Sequence, residues 1–208
     1  LTVGTEVITL ENKNEYDLRV RFEGNWVPGT GTKSLMTDNG SVISAAGDYA
    51  IAEGWGTDAN AKYSHTEGQL TSSVSGADCS HAEGQSTVAG APCAHVEGMN
   101  TVSNNTAEHA QGQWNKSHKA TDDFGDAGNT TDSIGIGTSL MDAKNAEETM
   151  QNGDKYILGI GGYDGTNPET ASTVQEAVMD KTSPNYQNVT IYEVGSTTAH
   201  HYKIYIEP

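Results

Sequence analysis

Between residues 45 and 113 the chain alternates small and polar side chains in short runs, and those runs return on a fixed spacing. AEGWGTDANAKYSHTEG at 52–68 begins and ends on nearly the same tripeptide, and CSHAEG at 79–84, CAHVEG at 93–98 and EHAQG at 108–112 follow. Glu53, Glu67, Glu83, Glu97 and then Gln111 are separated by 14, 16, 14 and 14 residues. The long interval contains LTSSVSGAD, which reads as a two-residue insertion at a turn. A weaker half-repeat, TDANA, TSSVSG, TVAG and TVSN, lies between the glutamates. Glycine and β-branched residues recurring in this way do not suit a helical period. Two alternating stretches and two turns per unit predict one coil of a parallel β-solenoid, with coils stacked about 4.8 Å apart.

Alternation along a strand sorts the residues by face. Ser80, Ala82 and Gly84 fall on one side, as do Ser64, Thr66 and Gly68, then Ala94, Val96 and Gly98, with Ala110 continuing the row. These small residues are expected inside a thin coil, glycine included, because only small side chains let two backbone layers approach closely. Such an interior removes little apolar area from water. At about 25 cal/mol per Å² it does not offset about 1–2 kcal/mol of backbone entropy per ordered residue, so association with partner chains is expected.

Composition sharpens this picture. Only 34 % of the 208 residues are hydrophobic, with 24 glycines and 2 phenylalanines, fewer large apolar groups than a conventional core of this length uses. A formal charge of −17 argues against nucleic acid or an anionic membrane surface as partner. No apolar run approaches the ~20 residues of a membrane span, so no membrane insertion is expected. The N-terminal LTVGTEVITL lacks a basic leader, and the chain is expected to be a mature protein or a piece of a longer one.

The opposite face carries the candidate chemistry. His65, His81, His95 and His109 should form one column and Glu53, Glu67, Glu83 and Glu97 another beside it. Stacked carboxylates ~5 Å apart repel by around 1 kcal/mol in water. Neighbouring imidazoles offset that repulsion. Three readings stay open: a structural polar ladder at a subunit interface, a bound cation held by the His and Glu groups, and a pH-responsive interface. No other cofactor is expected. Cys79 and Cys93 occupy equivalent places in adjacent units, within disulfide reach or as two half-buried thiols; without CxxC spacing they do not suggest zinc.

The flanks read differently. Residues 1–40 hold two strand-like runs, LTVGTEVITL and YDLRVRF, and a turn-rich NWVPGTGTK, together expected to form a β cap or stem. The repeats occupy 41–137, with an aperiodic loop at about 114–131 before a last coil at Ser133. In 138–208 we expect a hairpin turning at Asn152-Gly153 in a type I′ turn, a short helix from Ser172 capped by Gln175, and two closing strands in VTIYEV and YKIYIE. Tyr156, Tyr163, Tyr186, Tyr192, Tyr202 and Tyr205 gather there, either as receptor contacts or as packing for a small C-terminal α+β or β domain.

The repeat spacing, with Asp132-Ser133-Ile134-Gly135-Ile136-Gly137, resembles the head repeats of YadA-like trimeric adhesins. The Ser-His-Ala-Glu-Gly form is similar to the variant in tail-fibre and host-derived repeat proteins of bacteria and their phages. Residues 144–168 also resemble a stretch that follows such repeats in phage tail fibres. The resemblance covers roughly 41–168 and implies an all-β, left-handed parallel β-roll, a homotrimer, and attachment to a surface rather than catalysis. It also implies a virion tail or cell-surface location and a glycan or protein receptor. The leading functional reading is a non-catalytic fibre segment of a phage tail; a bacterial adhesin head is second. A polysaccharide depolymerase is third, because the regular glutamates do not look like a catalytic carboxylate pair and no nucleophile elbow, P-loop or HExxH is present.

Overall fold

A computed structural model describes residues 26–37 and 43–174 in full, and the backbone of the strands Thr2–Val3, Glu6–Val7, Leu10–Asn12, Leu18–Val20, Tyr186–Tyr192 and Ala199–Tyr205. The central part is a β-solenoid. Leu35–Thr37, Ile51–Trp55, His65–Gln69, His81–Ala82, His95–Val96, His109–Gln113 and Thr130–Ile136 pair in parallel along one sheet. Ser44–Ala45, Asp58–Ala59, Ser72–Ser73, Val88–Ala89 and Val102–Ser103 form the second. The ladder therefore starts at Leu35, and the turn-rich NWVPGTGTK is not a plain loop: Trp26–Pro28 pairs antiparallel with Leu35–Thr37 and covers the first coil. At the other end Thr130–Ile136 pairs antiparallel with Asn145–Met150, and that strand with Lys155–Ile157.

The interior is built from the predicted small residues. Ser64, Thr66, Ser80, Ala82, Ala94, Val96 and Ala110 are all buried, as are Ala45, Ala59, Ser73, Ala89 and Ser103 from the second sheet. Because much of this filling is hydroxyl-bearing, it is held partly by hydrogen bonds. Ser73 Oγ donates to Ser64 Oγ at 2.8 Å, and Ser64 Oγ to the Ala61 carbonyl at 2.8 Å. The hydroxyls of Thr57, Thr66 and Thr71 are sealed without a partner.

Glycine sits elsewhere than expected. Gly68, Gly84 and Gly98 are exposed, with φ of +105°, +100° and +99°. Strict alternation ends at the glutamate, where the strand bends into a left-handed arc around the coil's corner. A Cβ on Gly84 would lie 2.2 Å from the Gly98 carbonyl oxygen. The glycine thus serves the stacking of corners, and the tight interior is made by alanine, serine and threonine. Two more columns of non-glycine residues share the left-handed region: Tyr49, Tyr63, Cys79, Cys93 and Ala107, and Leu70, Ser86, Asn100 and Trp114, at φ between 46° and 62°.

Beyond the last coil the predicted hairpin forms, with a different turn. Gly153 is left-handed at φ +93° while Asn152 is not, and Gly153 N–H donates to the Met150 carbonyl. A type I′ turn needs both central residues left-handed, so this is a type I turn followed by a left-handed glycine. The closing strands Tyr186–Tyr192 and Ala199–Tyr205 pair antiparallel, Tyr186 opposite Tyr205. The helix expected from Ser172 through Gln175 lies mostly outside the described residues.

Candidate functional site

In-register stacking places the histidines directly over one another: His65 pairs with His81, His81 with His95, and His95 with His109. Their rings are 4.8, 4.9 and 5.1 Å apart and close to parallel. Leu35 and Ile51 precede them in the column and Asp132 follows. Each histidine faces the glutamate of the coil before it. Nε2 of His65, His81, His95 and His109 lies 3.3, 3.4, 3.4 and 3.6 Å from the Oε1 of Glu53, Glu67, Glu83 and Glu97. A carboxylate thus sits beside every imidazole, and all eight side chains are half-exposed.

At these separations none of the four pairs makes a hydrogen bond. Nε2 of His81 and of His95 is shielded from solvent and has no hydrogen-bond partner. Burial lowers the His81 pKa below its ordinary 6.5, and the neighbouring His65 and His95 push it further in the same direction. His81 is therefore neutral at physiological pH. Two trios, His65/Glu67/His81 and Glu83/His95/Glu97, bring their donor atoms within 4.8 Å of one another.

The other predicted residues are placed as follows. Cys79 and Cys93 are free thiols at the same left-handed turn position of adjacent coils. Both are exposed rather than half-buried, because the turn directs that position outward. Tyr163 is 1 % exposed and donates to Glu148 Oε2 at 2.7 Å, so it is unavailable to a receptor. Tyr156 is half-buried and packs against the Tyr163 ring. The side chains of Tyr186, Tyr192, Tyr202 and Tyr205 lie outside the described residues. Exposed aromatics lie instead on the solenoid, Tyr63 at 58 %, Tyr49 stacked on it at 5.5 Å and Trp55 at 53 %, with Trp26 on the capping strand and Phe124 in the aperiodic stretch. Their signal was available in the sequence, since Tyr49 and Tyr63 hold the repeat position that Cys79 and Cys93 hold later.

Two sealed carboxylates, one in a late coil and one on the strand after the last, went unread, because the stretch that partners them has no period. Glu108 takes the interior place of Ser64 and Ser80 in the coil. Its Oε2 accepts from Asn104 N–H, Asn105 N–H, the Asn105 side-chain amide and Ser117 Oγ at 2.8–3.0 Å. Its Oε1 has no partner. Burial raises its pKa to about 7 against those four donors. Glu148, 0 % exposed, fares differently. Burial raises it too, but hydrogen bonds from His118, Thr130 and Tyr163, with the His118 charge, outweigh burial and hold its pKa below the ordinary range. His118 Nδ1 is 2.7 Å from Glu148 Oε1 and Nε2 is 2.9 Å from the Thr166 carbonyl. Both partners are acceptors, so both ring nitrogens carry hydrogen and His118 is an imidazolium. The stretch assigned to a loop also carries an amide device. The Asn115 side chain bonds Val102 N–H at 2.8 Å and C=O at 2.9 Å, and the Asn145 side chain does the same for Lys116. Side-chain amides here replace the peptide groups of an absent strand.

A cleft of about 190 Å³ beside Asn105, lined by Pro92, Lys119, Asp122, Phe124 and Gln151, is smaller than the usual small-molecule site. Among the described residues no helix is long and apolar enough to cross a membrane. Comparison of the chain with protein-family models, curated proteins and solved structures gave no match.

Proposed function

We propose that the chain is a non-catalytic segment of a homotrimeric attachment fibre, of the kind that phage tails present to a host surface, with a glycan or protein receptor. One observation carries this reading. A solenoid filled mainly with alanine, serine, threonine and valine along its repeats presents an outward column of apolar and imidazole groups, Leu35, Ile51 and the four histidines. Chains of so little interior gain stability by laying such columns against sister copies, and a trimer does this around one axis. The stacked coils then serve as a stiff spacer. Exposed Tyr49, Tyr63 and Trp55 offer flat apolar faces with polar edges, which suit sugar rings.

The test is binding of the purified chain to a glycan array and to intact bacteria. Saturable binding that falls when Tyr49 and Tyr63 are both changed to alanine supports the reading. Release of new reducing ends from a polysaccharide would overturn it in favour of a depolymerase.

A further inference from the structure

We propose that the outward ladder binds two late first-row divalent ions, zinc fitting best, one held by His65, Glu67 and His81 and the other by Glu83, His95 and Glu97. This goes beyond the attachment role and uses only ligands of the chain itself.

The geometry is that of ligands waiting for a metal more than of ion pairs. Two donor atoms bound at about 2.1 Å to one tetrahedral zinc lie about 3.4 Å apart. Within the trios, His81 Nε2 lies 3.4 Å from Glu67 Oε1 and His95 Nε2 lies 3.4 Å from Glu83 Oε1, long for a hydrogen bond and close to that tetrahedral edge. One histidine of each trio, His81 and His95, has a buried Nε2 with no hydrogen-bond partner from the protein. Such a nitrogen is normally partnered, and a metal ion is a partner that suits it.

Donor chemistry selects the ion. Imidazole nitrogen with carboxylate oxygen suits zinc, copper, nickel and iron, whereas magnesium and calcium prefer oxygen alone. A net charge of −17 gathers cations around the chain, and an ion in the column removes the repulsion of its stacked carboxylates. The ligands stand on adjacent hydrogen-bonded strands, so their backbones are already in place. Donor atoms of a trio now lie within 4.8 Å, and rotation of half-exposed side chains closes the remainder. The two trios share no residue, so both can fill.

The test is titration calorimetry of the full chain at pH 7.5 with zinc chloride and, separately, magnesium chloride. All samples carry Cys79→Ser and Cys93→Ser, which removes the exposed thiols as competing ligands. We expect two zinc ions per chain at micromolar affinity and no heat from magnesium. His81→Gln and His95→Gln should each lose one site, and the double variant both. Equal response to the two metals, or two zinc sites surviving in the double variant, overturns the proposal. Should a glutamine variant fail to fold, X-ray absorption of the zinc-loaded Cys-free chain decides. Imidazole scattering with mixed nitrogen and oxygen near 2.0–2.1 Å supports the assignment, and an oxygen-only shell refutes it.

Discussion

Replacing Glu108 by glutamine should stabilise the protein at alkaline pH and leave it nearly unchanged in acid. Glutamine keeps the shape of the side chain and offers its oxygen to the same four donors that now converge on Oε2. What it removes is a negative charge sealed at 1 % exposure with no cation beside it among the described residues. The sign follows from linkage. The folded pKa is about 7 against an ordinary 4.5, so the folded state holds this proton more tightly than the unfolded chain. The contribution of protonated Glu108 is complete below pH 4.5 and is lost as pH rises through 7. A shift of that size corresponds to about 3 kcal/mol, most of it falling between pH 5 and 8.5. Urea unfolding of both proteins, read by circular dichroism at those two pH values, measures it. The advantage of Glu108→Gln should grow by about 2–3 kcal/mol from the lower to the higher pH. An advantage equal at both would refute the claim that Glu108 is buried without charge compensation.

Other outcomes follow from the same geometry. Thr66→Val should stabilise by about 1 kcal/mol in thermal or urea unfolding, since the sealed Thr66 hydroxyl has no partner and Val96 already fits two coils along the same row. Gly84→Ala should cost more than about 3 kcal/mol, because its Cβ would meet the Gly98 carbonyl, whereas Gly76→Ala, left-handed at φ +91° but with open space around it, should cost only about 1 kcal/mol. The hydrogen bond to Glu148 raises the His118 pKa above its ordinary 6.5, so its contribution is complete below that value and fades as pH rises through the folded one. Glu148→Gln should abolish this part of the pH profile of the urea midpoint; a profile unchanged between the two proteins would count against the His118–Glu148 pair.

The repeat was legible because its columns are chemical: a histidine, a glutamate and a small residue every coil can be aligned by eye. The solenoid, its inner row and the facing His and Glu columns all follow from period and alternation. Glycine was misplaced because alternation assumes an extended strand, and the left-handed corner at Gly68, Gly84 and Gly98 breaks that assumption one residue after the glutamate. Glu108, His118 and Glu148 were illegible for another reason. Their pairing depends on residues 9 and 30 apart with no repeat to announce it, and a buried glutamate looks in sequence like a surface one. Composition left Tyr163 open between a receptor contact and packing, and it closes the same buried cluster.

Sedimentation equilibrium on the full chain tests the central claim most directly, because thin coils leaning on sister copies must sediment together. The account predicts a single species of about 66 kDa, three times the 22.0 kDa chain, at micromolar concentration. A stable 22.0 kDa species that still unfolds cooperatively would contradict it.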